Sequence, residues 1–170
     1  MSPSPQDGLF QAAVAQHGPA IQRLARTYEA HPSRREELLQ DIWLALWQAL
    51  GRFRQEASLR TFVFRVAHNV AIKHVRRDAK GREDVELPET LRADDPEPAE
   101  RLDREQRRQH LLHAVRALPD PDRQLAMLHL EGLSNAEVAE VSGLSPSNVG
   151  TRLHRIRGRL RQALQELEHG

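Results

Sequence analysis

The stretch LSPSNVGTRLHRIRGRLR, residues 144–161, holds the residues of this chain best suited to chemistry. Five arginines (Arg152, Arg155, Arg157, Arg159 and Arg161) fall within Thr151–Arg161 without one carboxylate among them. Leu144, Val149, Leu153, Ile156 and Leu160 recur at helical spacing, so the stretch is predicted to be a helix with one apolar and one cationic face. Such a face binds and does not cleave. Arginine pairs bidentately with guanine edges and asparagine with adenine edges, each pair discriminating by ~1–3 kcal/mol. Ser147, Asn148, Thr151, His154 and Arg155 lie on or beside the face opposite the apolar stripe, near its N-terminal half, where a recognition helix meets base edges. Arg152, Arg157, Arg159 and Arg161 suit phosphates, which add affinity and salt dependence but no sequence choice. A solvated cationic face would carry the same charges. A membrane-surface helix fits less well, because the apolar face lacks interfacial aromatics.

The residues in front decide between these readings. SNAEVAEVSGLSPSNVG predicts a helix of about two turns, opened by a capping box at Ser134 and Glu137, then a tight turn and a new cap at Ser145 followed by Pro146. A helix-turn-helix needs a small residue where its helices cross, and Ala139 is there. It needs positive φ in the turn, and Gly143 supplies that. Val149 and Leu153 give the second helix its apolar grip. Three constraints met together point to the DNA major groove.

These residues need a scaffold, and the rest of the chain predicts an all-α one, since its apolar patterns run near a period of 3.6. The 170 residues suffice for one ordinary domain or two small ones, and no cysteine is present for disulfide or thiolate chemistry. The formal net charge of +1 averages regions of opposite sign. Residues 79–99 carry seven carboxylates against Lys80, Arg82 and Arg92, with three prolines and no apolar stripe. They read as an acidic flexible linker between two small helical domains, 1–78 and 100–170. No signal peptide or membrane-spanning run is evident, so a cytoplasmic location is expected.

In the first lobe a helix over 6–16 is expected to stop at Gly18-Pro19. A second carries Ile21, Leu24, Ala25 and Tyr28 and stops before Pro32. A third opens with a capping box at Ser33 and Glu36, buries Leu39, Ile42, Leu46 and Leu50, and ends at Gly51. A fourth follows Ser58 and ends in the basic cluster Lys73, His74, Arg76 and Arg77. In the second lobe helices are expected near 100–117, 121–131, 134–141 and 146–167, with Asp120-Pro121 as a cap and first-position proline. His110 and His113 stand one turn apart, a metal-chelating spacing, but without a carboxylate cluster or cysteine they read as a surface pair. No nucleophile–base set or phosphate loop is present, and no enzymatic activity is expected.

Two segments carry a resemblance. ELLQDIWLALWQALGRFRQEASLRTFVFRVAHNVAIKHVRR resembles the second conserved region of bacterial RNA polymerase sigma factors. LPDPDRQLAMLHLEGLSNAEVAEVSGLSPSNVGTRLHRIRGRLRQAL is similar to their fourth region. Their order and separation match the extracytoplasmic-function group. The resemblance implies a promoter-specificity subunit without catalysis, cofactor, small-molecule substrate or membrane insertion. Its implied partners are core RNA polymerase (the beta-prime clamp helices and the beta flap), promoter DNA and an anti-sigma factor.

By the same resemblance Gln40, Asp41, Leu44 and Trp47 face the clamp helices. Phe53 and Asn69 fall where the family surrounds a flipped base of the −10 element, with Arg65, Lys73, Arg76 and Arg77 holding phosphates. Thr151, His154 and Arg155 fall on the −35 base-contacting positions, with Ser147, Asn148, Arg152 and Arg159 about them. Gly150 departs from the basic residue often found there. The acidic linker would run through the polymerase cleft toward the RNA exit path. A stand-alone helix-turn-helix regulator and a sigma-mimicking sequestering protein remain alternatives.

Overall fold

The computed structural model describes residues 2–79 and 99–170. Seven helices account for nearly all of them, and no strand occurs among the described residues. The first lobe is a three-helix bundle of α1 (Pro5–Tyr28), α2 (Pro32–Leu50) and α3 (Leu59–Ala79). The second contains α4 (Ala99–Arg116), α5 (Asp120–Leu130), α6 (Asn135–Ser142) and α7 (Pro146–His169). The acidic segment expected to join them lies outside the described residues except at Ala79 and Ala99.

Helix α1 corrects the expected break at Gly18-Pro19, for Pro19 lies inside one continuous helix. A proline within a helix costs ~3 kcal/mol through its missing donor and its clash with the preceding turn. Gly18, without a Cβ, relieves part of the crowding that a proline imposes on its neighbour. Ala13, Ile21, Leu24 and Ala25 are fully buried on either side. Full burial of Ile21 and Leu24 alone returns ~1.5–3 kcal/mol each. Packing outweighs the break.

Two predicted caps are displaced by one or two residues. Arg35 donates its backbone N–H to the carbonyl of His31, so α2 begins at Pro32. Ser33 is then too far inside to cap and pairs with His31 Nδ1 at 2.9 Å. Likewise Arg123 donates to the Pro119 carbonyl, which places Asp120 within α5 and makes Pro119 the cap. In both cases a proline with φ preset for the helix starts the ladder earlier than the polar residue does. The fully buried stripe of α2 also differs from expectation by one position. Leu38, Ile42 and Leu46 are fully buried, while Leu39 is half-buried. Ser58 does cap α3 through the Thr61 N–H, as Ser134 and Ser145 cap α6 and α7.

The lobes pack on each other, α1 against α4 and α3 against α5 and α6. Arginines form much of the polar contact. Arg23 grips Glu131 with Nε at 2.6 Å and Nη2 at 2.8 Å. Arg60 donates to the Glu131 carbonyl at 3.0 Å, Arg116 to the Arg26 carbonyl at 3.1 Å through Nε. The guanidinium of Arg123 lies 5.7 Å from the Tyr28 ring centroid, a cation–π distance.

Candidate nucleic-acid and polymerase interfaces

The helix-turn-helix forms as its sequence requires. Ser134 and Glu137 satisfy each other's backbone donors around the start of α6, at 3.2 and 2.7 Å. The exchange holds the Glu137 carboxyl below its ordinary range, chiefly through the backbone N–H of Ser134. Gly143 ends α6 at φ 78°, a conformation that costs any residue with a Cβ. Val149, Leu153 and Ile156 are buried and Leu160 is half-buried, so one face of α7 is committed to the lobe's core. The other face holds Ser147, Asn148, Thr151, His154 and Arg155, all exposed. Thr151 Oγ1 donates to the Ser147 carbonyl at 3.2 Å, which fixes its rotamer. A Cβ at Gly150 would meet only Asn135 Nδ2 at 3.6 Å, an ordinary contact, so crowding does not account for that glycine.

Arg152 and Arg159 are less free than their sequence positions suggest. Both reach Asp122 of α5, at 3.8 and 3.6 Å. Pairing with an acid remote in sequence leaves no signal in the local pattern of α7.

In the first lobe Gln40, Asp41, Leu44 and Trp47 all lie on the outer side of α2. Leu44 is 57% exposed and Trp47 42%. The two tryptophans have separate roles. Trp43 packs edge-on against Phe10, centroids 6.1 Å apart, at the margin of the core. Trp47 is exposed but anchored: its Nε1 donates to Asp7 Oδ1 at 3.2 Å, and its carbonyl accepts from Gln6 Nε2 at 2.6 Å. The Asp7 carboxyl is held below its usual range by Ser4 first and by Trp47 second. This support from the first turn of α1 was not visible in the sequence, because Gln6 and Asp7 lie some forty residues from Trp47.

The expected −10 residues are spread over the loop 51–58 and α3. Phe53 is half-buried and rests on Phe62, centroids 4.7 Å apart, so part of its ring area is already spent on packing. Gln55 in the same loop has φ 58°. Asn69, Lys73 and Arg76 are exposed along α3. Arg77 approaches Asp41 at 3.8 Å, an exposed pair of small energetic weight. Arg65 is turned toward the second lobe, where Nη2 donates to the Glu140 carbonyl at 2.9 Å near the C-terminus of α6. The carbonyl end of a helix is where a cation is favoured.

One buried polar cluster lies outside these surfaces. His74 Nε2 is 3.1 Å from Glu29 Oε2 and 3.6 Å from Asp78 Oδ2. The three could ligate a metal by distance. Arg34 stands 3.7 Å from Asp78, and Arg77 3.4 Å from His74 Nδ1. Two guanidinium groups already balance the two carboxylates, which leaves no net negative charge to attract a divalent cation. The cluster ties the end of α1 to the end of α3. His110, half-buried, and His113, exposed, gain no carboxylate partner at ligand distance among the described residues.

With this geometry in place, likeness to known proteins decides the family. Residues 13–81 match the model of sigma-70 region 2, and residues 108–160 that of sigma-70 region 4. The sigma factor CarQ of Myxococcus xanthus is 30% identical, over 94% of this chain and 91% of its own. The chain belongs to the extracytoplasmic-function RNA polymerase sigma factors. The sigma factor CnrH of Cupriavidus metallidurans is 28% identical over 89% of this chain and 84% of its own. CnrH in complex with the cytosolic domain of CnrY superposes with a TM-score of 0.66 at 25% identity, covering 92% of this chain and 88% of that one. RpoE in complex with the anti-sigma factor NepR from Bartonella quintana reaches 0.70 at 19% identity, covering 92% and 96%, a likeness of fold. This sigma factor therefore directs RNA polymerase to promoter DNA. No helix among its described residues is long and apolar enough to cross a membrane.

Proposed function

We propose that this sigma factor works by binding energy alone, without catalysis, on cytoplasmic polymerase, with a division of labour between residues 1–78 and 100–170. The outer side of α2, with Gln40, Asp41, Leu44 and Trp47, docks on the beta-prime clamp helices. The loop 51–58 and α3 open the −10 element: Phe53 and Asn69 hold a flipped base, while Arg65, Lys73, Arg76 and Arg77 hold phosphates. The exposed face of α7 reads the −35 element, and the second lobe sits on the beta flap. The observation that carries this reading is the exposed row Asn148, Thr151, His154 and Arg155 behind a fully formed turn at Gly143.

The two elements stand about 25 base pairs apart by their names, hence about 85 Å at 3.4 Å per pair. A compact chain of this length has a radius of gyration of about 16 Å. Packed lobes cannot reach both elements. On polymerase the contacts of Arg23, Arg60, Arg65 and Arg116 open, and Arg65 becomes available to DNA. A partner that holds the lobes together would silence the protein, and the complexes of CnrH with CnrY and RpoE with NepR favour an anti-sigma factor in that role.

Run-off transcription with sigma-free core polymerase and pooled genomic promoter fragments tests the reading. Transcripts that require the protein support it, and their start sites supply the two elements. Silence without core binding favours the stand-alone regulator. Silence with core binding favours the sequestering protein. On a promoter so found, Arg155→Ala is expected to cost ~1–3 kcal/mol at particular −35 bases and little at others, as measured by competition among single-base variants. A uniform loss across all variants would move Arg155 to the phosphate class.

A further inference from the structure

Asp122 lies in the first turn of α5, and its carboxylate stands between two arginines of α7. Oδ1 is 3.8 Å from Arg152 Nη1, and Oδ2 is 3.6 Å from Arg159 Nη1. Arg152 and Arg159 are seven residues apart, about two helical turns, and so share one edge of the helix. A carboxylate suits the first turn of α5 on helix-dipole grounds. That accounts for an acid at this position but not for its approach to two cations of the neighbouring helix. Side by side, two guanidinium groups and an anionic oxygen pair make the arrangement that a DNA backbone phosphate would otherwise complete.

We propose that Asp122 is an internal stand-in for DNA phosphate. It holds Arg152 and Arg159 in the free protein, and DNA must displace it before these two arginines can grip the backbone. Asp122 thereby lowers the affinity of α7 for DNA of every sequence, because phosphate contacts carry no base information. The base-facing row of Thr151, His154 and Arg155 keeps its own chemistry, so sequence choice is left intact while indiscriminate binding is damped. The inference rests on α7 being the DNA-contacting helix.

The test uses the full chain, fluorescence anisotropy on a short mixed-sequence DNA duplex, and a salt series. Asp122→Asn is expected to bind ~2–10-fold more tightly, the range set by releasing two partly exposed ion pairs. The slope of log K against log salt steepens by ~0.9 for each arginine that gains a phosphate. In an Arg152→Ala/Arg159→Ala background the gain from Asp122→Asn disappears. Melting curves report folding separately, and Asp122→Ser serves as a second variant with a first-turn hydroxyl. Unchanged affinity in both variants overturns the proposal. So does a gain that persists without the two arginines, which would make Asp122 only a repulsive charge. Should Arg155→Ala and the double-arginine variant also leave DNA binding untouched, the assignment of α7 falls. If those variants weaken binding while Asp122→Asn does nothing, only the role of Asp122 falls.

Discussion

Replacing Leu44 by glutamate is expected to abolish binding to core polymerase while leaving the melting temperature unchanged. Leu44 points outward from α2, 57% exposed, whereas Leu38, Ile42 and Leu46 on the inner side of the same helix are fully buried. A carboxylate at position 44 therefore meets water in the free protein, and glutamate is a good helix former. In the docked state it would lie beside Trp47, desolvated and without a partner. An unpaired charge buried in this way costs several kcal/mol, and a central interface residue often carries ~2 kcal/mol or more by itself. Together they weaken binding by at least ~30-fold, since 1.4 kcal/mol is tenfold. Leu44 is a cleaner probe than Trp47, whose indole and carbonyl also hold Asp7 and Gln6 at the start of α1. Surface plasmon resonance with immobilised sigma-free core, alongside thermal melts, gives both numbers. Wild-type binding by Leu44→Glu would remove α2 from the polymerase interface.

A second large effect is expected from acid. His68 is fully buried on α3, with Nδ1 3.0 Å from the Tyr28 hydroxyl and Nε2 buried without a hydrogen-bond partner. Burial raises the Tyr28 pKa, so the phenol keeps its proton and donates it to Nδ1. His68 is then the neutral tautomer with its proton on Nε2, and burial lowers its pKa to about 3. The unfolded chain takes up this proton once the pH falls below about 6.5, the ordinary histidine value, but the folded chain does not until about 3. Between those limits the unfolded state binds more protons, and stability falls by about 1.4 kcal/mol for each pH unit lost. From pH 6.5 to 4.5 the contribution is about 3 kcal/mol, a large share of what a small domain has. Above about pH 6.5 the contribution is nil, because both states hold His68 neutral. His68→Gln keeps an acceptor for Tyr28 and does not titrate. Urea unfolding of both proteins at pH 7.0, 5.5 and 4.5 should give a wild-type curve that falls more steeply with acid than the variant's. Parallel curves would mean that the core admits the imidazolium.

The helix-turn-helix was legible in the sequence because every part of it is local. Ser134 and Glu137 are three residues apart, Gly143 needs only its own φ, and the stripe of Val149, Leu153 and Ile156 is a matter of helical period. Local constraints act whatever the rest of the chain does. The all-α class, the α6 and α7 starts and the outward face of α2 follow for the same reason. Tertiary packing decided the rest. Pro19 stays within α1 because buried neighbours from α2 and α3 outweigh a local penalty, and Pro32 and Pro119 start their helices early for want of a competing cap with better geometry. The pairing of Arg152 and Arg159 with Asp122, of Trp47 with Asp7, and of Arg65 with Glu140 joins residues 30 to 75 positions apart. Charge spacing along one helix shows which side chains can reach outward. It does not show which of them another helix already holds, because that depends on how the two helices pack in space.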